Sequence, residues 1–269
     1  MRKKRRKIYR VKRKKSIFKS WYSWSFVLFL IFVFAVLYFL VFFDKFQVKQ
    51  LIISGNVKVL GNELENATFQ KINRSILFFN SKSIFLISKK ELKSKILKNY
   101  PQIEQLNVKK NLPDKLILEI KERSAVAVFC LPAQTGETCF LIDRNGVIFE
   151  PYNNFSEEKM IIRLTESSPL KEGLGTEVIK VNFIDSALKI QKNLKENFQI
   201  NVKESIFISP VRLNVKTADG WEIYFSLESD IDLQITKLNL LLKQEIPPEN
   251  WKDLEYIDLR FSKVFYKFR

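Results

Sequence analysis

The sequence predicts a single-pass membrane protein with an α+β ectodomain, in which a β-α-α-β-β domain precedes a mostly antiparallel β domain with helices packed on the sheet. Three observations predict this class. One long apolar stretch lies near the start of the chain, and a strand–helix–helix–strand–strand pattern fills the next 80 or so residues. Short strands, tight turns and two added helices make up the rest.

The basic charge of the chain is concentrated in its first 20 residues. They hold 12 of the 46 Lys and Arg residues and no acid, whereas the remaining residues are close to balanced. We interpret residues 1–20 as a cytoplasmic tail that sets membrane orientation and rests on acidic lipid headgroups. The alternative is a nucleic-acid-binding tail. This alternative is disfavoured because no folded nucleic-acid-binding domain accompanies the tail, so we expect no nucleic-acid partner.

The apolar stretch consists of residues 26–43, which are 18 consecutive apolar or aromatic residues without a charge. With Trp21, Tyr22 and Trp24 before it, the stretch predicts a transmembrane helix over residues 21–43, about 34 Å long. A cleaved signal peptide, the alternative, would have a shorter apolar region followed by small residues. The basic end is expected in the cytoplasm, which places the body of the chain outside it.

Residues 44–123 follow the order strand, helix, helix, strand, strand. The second helix has the clearest signal, because Ser88 and Glu91 form a capping box before it and Pro101 ends it. The predicted elements are strands over residues 46–53, 103–110 and 115–121, a helix over residues 63–77 and a helix that begins at Lys89.

Residues 124–269 combine strands with two helices and two tight hairpin turns. Asn145-Gly146 and Asp219-Gly220 are the turn signals, and a capping box at residues 229–232 opens one helix. Apolar residues at helical spacing indicate the other helix between Phe183 and Phe198. The predicted strands cover residues 125–130, 139–142, 147–149, 160–164, 212–217, 221–225, 256–261 and 264–268.

The composition argues against catalysis. The chain has no His, and its seven Gly residues follow no phosphate-binding pattern. Asp258 and Arg260 are better interpreted as an ion pair on a strand face than as catalytic groups. We therefore predict no catalytic residue, no metal site and no cofactor. A wall-active enzyme that relies on paired carboxylates remains an alternative.

Cys130 and Cys139 are the only cysteines, too few for a zinc site. Neighbouring strands could bring them together as a disulfide outside the reducing cytosol. Two buried free thiols are the alternative, and the sequence alone leaves the choice open.

The last predicted strand is unusually aromatic for a chain end. It carries Val264, Phe265, Tyr266 and Phe268, interleaved with basic residues. A terminal strand has a neighbour on one side, so its other edge presents backbone groups that can pair with a partner strand. The alternative is that alternate side chains face the core, and we expect half of them to do so.

The order of these parts, together with four stretches of sequence, resembles the FtsQ/DivIB family of bacterial cell division proteins. The resemblance covers almost the whole chain. The stretches are FQVKQLIISGN at residues 46–56, YPQIEQLNVKK with LPDKL and EIKER within residues 100–123, LIDRNGVIF at residues 141–149 and IDLRF at residues 257–261.

The resemblance implies a POTRA domain over residues 44–123 and an FtsQ-like β domain over residues 124–269. It implies a divisome scaffold at the septum that links early and late division proteins. Its partners would be single-pass coiled-coil proteins of the FtsB and FtsL type, bound by strand addition to the C-terminal edge.

The resemblance also implies residue roles. Val108 and Lys110 match positions of a recruitment face for upstream division proteins, and Arg260 matches an arginine that pairs with an acidic partner residue. The matching partner-binding positions are Arg260, Phe261, Val264, Phe265, Tyr266 and Phe268. The alternative function is a POTRA-containing component of an envelope transport or assembly system.

Overall fold

The computed structural model of the chain describes residues 21–76, 79–133, 136–153, 160–164 and 173–269. Helix α1, Trp21–Phe42, precedes two folded parts that have separate hydrophobic cores. Its segment Trp24–Phe42 has a mean hydropathy of 2.9, and among the described residues α1 is the one helix long and apolar enough to cross a membrane. The predicted basic tail lies outside the described residues.

The first folded part, here called the three-stranded domain, has the predicted strand and helix order with one added hairpin. Its sheet has the order β1-β5-β4, with β1 parallel to β5 and β4 antiparallel to it. The Ser88 hydroxyl accepts a bond from the Glu91 amide and caps the second helix, as predicted. The elements are β1 Gln50–Ser54, α2 Gly61–Ile72, β2 Arg74–Ile76, β3 Phe79–Ser81, α3 Lys89–Asn99, β4 Ile103–Asn111 and β5 Lys115–Glu122.

Two predicted elements of this domain are corrected. The strand predicted over residues 46–53 begins only at Gln50, because residues 44–46 form a 3₁₀ turn after α1. The helix predicted over residues 63–77 ends at Ile72, since Asn73 has extended backbone. The next residues pair as the β2–β3 hairpin, in which Ile76 lies opposite Phe79. Both residue types favour strands over helices.

The second folded part, the nine-stranded domain, is one mixed sheet with the order β14-β13-β12-β11-β10-β9-β6-β7-β8. The pairs β6/β9, β9/β10 and β12/β13 are parallel, and the other neighbours are antiparallel. The elements are β6 Ala127–Ala133, β7 Gly136–Ile142, β8 Ile148–Pro151, β9 Ile161–Leu164, α4 Val181–Phe198, β10 Val202–Ser209, β11 Arg212–Thr217, β12 Glu222–Ser226, α5 Ile231–Gln244, β13 Leu254–Asp258 and β14 Phe265–Phe268.

Helices α4 and α5 supply the apolar residues that cover the sheet of the nine-stranded domain. Ile184 and Leu194 of α4 and Leu238 of α5 are fully buried, in one cluster with Trp221 and Phe225. Apolar residues recur at helical spacing in both helices, and the structure buries these faces as the sequence pattern indicates. The fold class predicted from the sequence is therefore confirmed.

Strand β10 was missed by the sequence analysis, and the start of α5 was misplaced. Strand β10 lacks a clean apolar alternation because Ser205, fully buried, takes an inward position and donates its hydroxyl to the Met160 sulfur at 3.1 Å. Helix α5 is capped by Asp230, whose carboxylate accepts a bond from the Asp232 amide at 2.8 Å. The cap therefore lies one residue after the predicted Ser229.

Candidate partner-binding edge

Strand β14 lies at one end of the nine-stranded sheet. It pairs antiparallel with β13, with Phe265 opposite Asp258 and Tyr266 opposite Ile257. Among the described residues, β14 has no hydrogen-bonded neighbour on its other side. A sheet edge of this kind leaves a row of backbone N–H and C=O groups open to another strand.

The side chains of β14 are all exposed. The exposed fractions are 52% for Phe265, 40% for Tyr266 and 41% for Phe268, and Phe261 in the preceding loop is 55% exposed. The expectation that half of the strand faces the core is wrong for β14. Val264 alone packs against the core, from the position just before the strand.

The backbone of β14 presents specific groups at the open edge. Just after β14, the Arg269 amide donates at 2.8 Å to the carbonyl of Asp253, the residue before β13, so the Arg269 N–H is directed towards β13. Successive residues of a strand alternate in this direction. We therefore expect Tyr266 and Phe268 to direct their N–H and C=O groups away from β13.

The loop before β14 is fixed by α5. The Lys237 ammonium donates to the carbonyls of Phe261 at 3.3 Å and Ser262 at 3.0 Å. The rings of Phe261 and Phe265 meet edge to face, with centroids 6.0 Å apart. These contacts hold the exposed aromatic side chains beside the open edge. No local sequence pattern indicated Lys237, because its partners are 24 and 25 residues away.

Arg260 lies at the root of this loop and forms a bidentate pair with Asp258. Its Nε donates to Oδ1 at 2.9 Å, and its Nη2 donates to Oδ2 at 2.6 Å. Burial alone would raise the pKa of Asp258, but the hydrogen bonds from Arg260 outweigh it and lower the pKa below its ordinary value. The ion pair predicted from the sequence is therefore present, and the Arg260 side chain is 27% exposed.

An aromatic and cationic surface extends from Arg260 across the neighbouring strands. The guanidinium carbon of Arg260 lies 5.5 Å from the ring of Tyr224, and that of Arg212 lies 4.9 Å from the same ring. Tyr224 also stacks on Tyr256, with centroids 5.4 Å apart. This surface was not predicted from the sequence. The alternation of half-buried Tyr224 with buried Ile223 and Phe225 is the signal that could have found part of it.

The proposed recruitment positions have different environments. Val108 is 5% exposed and packs in the core of the three-stranded domain, so its side chain does not form a surface face with Lys110. Lys110 is half-buried near the end of edge strand β4. Burial and the nearby charge of Lys89 lower the pKa of its ammonium group. The recruitment role that the resemblance implies for Val108 and Lys110 remains a prediction.

Cys130 and Cys139 lie directly opposite each other on β6 and β7 and are joined by a disulfide in the structure. Glu137 is the third residue of this cluster, which has the composition of a metal-binding group. Sulfurs that are bonded to each other cannot supply the thiolates that a zinc site requires. The pair is therefore a cross-strand link between β6 and β7 in the described fold.

Two family models match the chain. The model of the FtsQ-type POTRA domain matches residues 46–123, and the model of the C-terminal region of the cell division proteins FtsQ/DivIB matches residues 133–260. Together they cover about three quarters of the chain. The second match ends before β14, so the edge strand lies beyond the matched residues.

Individual relatives carry the same names. Cell division protein DivIB of Clostridium acetobutylicum is 30% identical over 135 residues, which are 49% of this chain and 48% of that protein. DivIB of Clostridium tetani is 24% identical over 198 residues, 71% of each chain. Cell division protein FtsQ of Bradyrhizobium diazoefficiens is 24% identical over 202 residues, 74% of this chain and 51% of that protein. The aligned part thus spans about half the length of the first and third of these relatives.

Proposed function

Because the chain belongs to the FtsQ/DivIB family of cell division proteins, we propose that it is a non-catalytic divisome scaffold. In this proposal it binds single-pass coiled-coil proteins of the FtsB and FtsL type outside the cytoplasm. One partner strand adds to the open edge of β14. The scaffold links early and late division proteins at the septum.

The observation that carries the proposal is the open edge of β14 with its exposed aromatic side chains. Natural sheets usually blunt such an edge with charges, bulges or a covering element. Here Phe265, Tyr266 and Phe268 are exposed beside unpaired backbone groups. Backbone bonds would give affinity to an added strand, and the aromatic side chains would act as anchors for it.

The proposal gives Arg260 a second task besides its pair with Asp258. A guanidinium has five N–H donors, and the Asp258 side chain takes two of them. An acidic residue of the partner could accept from the others. Phe261 lies next to this group and would contact the same partner segment.

The topology is also part of the proposal. Helix α1 is the membrane anchor, and the basic residues before this helix lie in the cytoplasm. Residues 44–269 lie outside the cytoplasm and form a POTRA domain and a β domain. The Cys130–Cys139 disulfide supports this orientation, since disulfides persist in oxidising compartments and are rare in the cytosol. Half-buried Lys110, near the end of β4, is a candidate contact for upstream division proteins.

Strand addition is tested with a proline at the open edge. Proline lacks the N–H, and edge strands tolerate it where that N–H faces away from the sheet. We expect Phe268→Pro to leave the ectodomain folded but to weaken capture of a tagged FtsB/FtsL-type pair from the same host by at least tenfold. The measurement is co-purification from detergent-solubilised membranes, with circular dichroism to verify the fold.

The matched control is Phe268→Ala, which removes the same ring and keeps the N–H. We expect this variant to lose less affinity than Phe268→Pro. Equal binding by the two variants would exclude backbone pairing at this residue. Unchanged binding by both would remove the β14 edge from the interface.

The cellular role is tested by depletion. Loss of a divisome scaffold should block septum formation while growth continues, so we expect filamentous cells and a mid-cell signal from a fluorescent fusion at the cytoplasmic end. A uniform envelope signal with normal cell length after depletion would contradict the scaffold role.

A further inference from the structure

The end of helix α1 is capped by side chains of the three-stranded domain. The last carbonyls of a helix have no partner within the helix and normally bond to water or to a cap. Here the Ser81 hydroxyl donates to the Val41 carbonyl at 2.7 Å, and the Ser83 hydroxyl donates to the Leu40 carbonyl at 2.8 Å. The side-chain nitrogen of Gln47 also donates to the Val41 carbonyl, at 2.8 Å.

The same residues tie the cap to the rest of the domain. The Gln47 side-chain oxygen accepts from the Lys82 amide at 2.6 Å, and Gln47 and Ser83 form an isolated β-bridge. The Ile84 amide donates to the Phe46 carbonyl at 2.9 Å. Helix α1 therefore meets the domain through a hydrogen-bonded junction, with no free linker between them.

Aromatic rings surround this junction. Phe42 of α1 contacts Phe79 of β3 with ring centroids 5.9 Å apart, and Phe39 contacts Phe46 at 6.0 Å. Phe46 in turn contacts Phe85 at 5.2 Å. Because Phe39 and Phe42 belong to the last turn of α1, the rings of Phe46 and Phe79 lie at the level of that turn.

Two of these rings have little protein around them. Phe79 is 62% exposed and Phe85 is 45% exposed. Both continue the apolar surface of α1 sideways onto the domain. Apolar and aromatic groups at the end of a spanning helix lie at the boundary between hydrocarbon and headgroups. Carbonyls at that depth are costly unless protein groups satisfy them, as Ser81 and Ser83 do here.

We propose that the exposed rings of Phe79 and Phe85, together with half-buried Phe46, form a surface here called the aromatic collar, which inserts into the interfacial layer of the lipid bilayer. The three-stranded domain is then seated on the membrane in a fixed orientation by a second contact besides α1. This inference rests on the proposed role of α1 as the anchor. The lipid bilayer is the occupant because the collar adjoins the last turn of the spanning helix.

Spin-label accessibility in the full-length protein tests the collar. A nitroxide is attached at Phe79→Cys or Phe85→Cys in vesicles of equal parts phosphatidylcholine and phosphatidylglycerol. The native cysteines take no label while they are bonded to each other. Collisions with oxygen report contact with lipid, and collisions with a water-soluble nickel complex report contact with water.

Two reference sites make the result decisive. Phe32→Cys lies midway along α1. Val57→Cys replaces an apolar residue that is 88% exposed and follows the far end of β1. We expect the ratio of oxygen to nickel collisions at sites 79 and 85 to be several-fold higher than at site 57, and lower than at site 32.

The opposing outcomes are distinguishable. If the collision ratio at sites 79 and 85 is as low as at site 57 while site 32 is in lipid, the collar is overturned and the anchor stands. A wet site 32 would overturn the anchor and the collar together. Protection of site 79 that is seen only in native membranes would assign the surface to a protein and overturn its assignment to lipid.

Discussion

At the scale of single residues, the carboxylates of half-buried Glu122 and buried Asp258 accept hydrogen bonds from nearby donors. Glu122 accepts bonds from the backbone amides of Val57, Lys58 and Val59. Burial alone would raise the pKa of Glu122, but the hydrogen bonds from these three amides outweigh burial and lower the pKa below its ordinary value. Asp258 has the same balance with Arg260 as the donor. Both carboxylates are therefore bound more favourably in the charged form, which makes them contributors to stability at neutral pH.

We predict that Asp258→Asn lowers the free energy of unfolding of residues 44–269 by roughly 1.5–3 kcal/mol at pH 7, the range for hydrogen bonds to charged groups. The amide cannot reproduce the charged bidentate pair with Arg260. Urea denaturation followed by circular dichroism measures the difference. It should shrink as the pH falls.

The sign of this pH effect follows from the lowered pKa of Asp258. The stabilisation is fully present above the unfolded value of about 3.9 and is lost as the pH falls through the folded value. Asp219→Asn, at an exposed turn, is the control and should change little at any pH. A constant Asp258→Asn difference down to acid pH would contradict the assignment.

At the scale of elements, helix α5 organises the sheet end that carries the candidate site. The side chain of Gln234 bonds to both backbone groups of Ser226, accepting from its amide at 2.9 Å and donating to its carbonyl at 2.8 Å. Lys237, one turn later, holds the loop before β14. Helix α5 thus fixes the end of β12 and the approach to β14 together.

We predict that Asp230→Ala costs about 1 kcal/mol of stability, because it removes the N-cap of α5. Ser229→Ala is the matched control and should be close to neutral. Thermal unfolding of the two variants measures the difference. A larger loss for Ser229→Ala would restore the cap position that the sequence pattern had indicated.

Local signals made several elements predictable from the sequence. The β4–β5 hairpin and α3 carry clear alternation and a capping box, and the structure has both. The end of α2 and the β2–β3 hairpin were not predictable in this way. Ser81 of β3 donates a hydrogen bond to Val41 at the end of α1, and these two residues are 40 positions apart in the sequence. Strand β10 was hidden by its buried Ser205.

The candidate site was partly predictable for the same reason. An aromatic terminal strand can be recognised from its composition, and the structure places β14 at a sheet edge. The exposure of all four β14 side chains depends on which elements cover the sheet, which the sequence pattern does not give. Lys237 and the Tyr224–Tyr256 stack come from distant segments, so no local spacing indicated them.

At the scale of the whole molecule, the two folded parts meet through a nearly buried ion pair. The Arg123 Nη1 lies 2.5 Å from the Asp143 Oδ2, and their side chains are 14% and 5% exposed. The Arg123 Nε also donates to the Pro101 carbonyl at 3.0 Å. The Asp143 Oδ1 accepts from the amides of Asn145 and Val147, both at 2.9 Å. The pair links the end of the first part to a turn of the second.

We predict that Arg123→Ala costs roughly 3 kcal/mol, the lower end of the range for breaking a buried pair, because the two amides still satisfy part of Asp143. The two parts should also unfold less cooperatively, as a broader or split denaturation curve. Arg144→Ala is the control. It removes an exposed pair with Asp185 and should cost less than about 1 kcal/mol. A similar small effect for Arg123→Ala would show that the pair does not couple the two parts.

The position of β14 also determines when the edge comes into existence as the chain folds. Within the part of the chain that the structure describes, β14 pairs with β13 alone, and β13 joins the sheet through a parallel contact with β12 across the whole of α5. Contacts between distant segments form late, because the chain must first close the loop between them. A chain that has not completed its sheet has no edge to offer. Under the proposed strand addition, a partner strand would therefore recognise finished molecules, and its binding would report that the sheet has been completed.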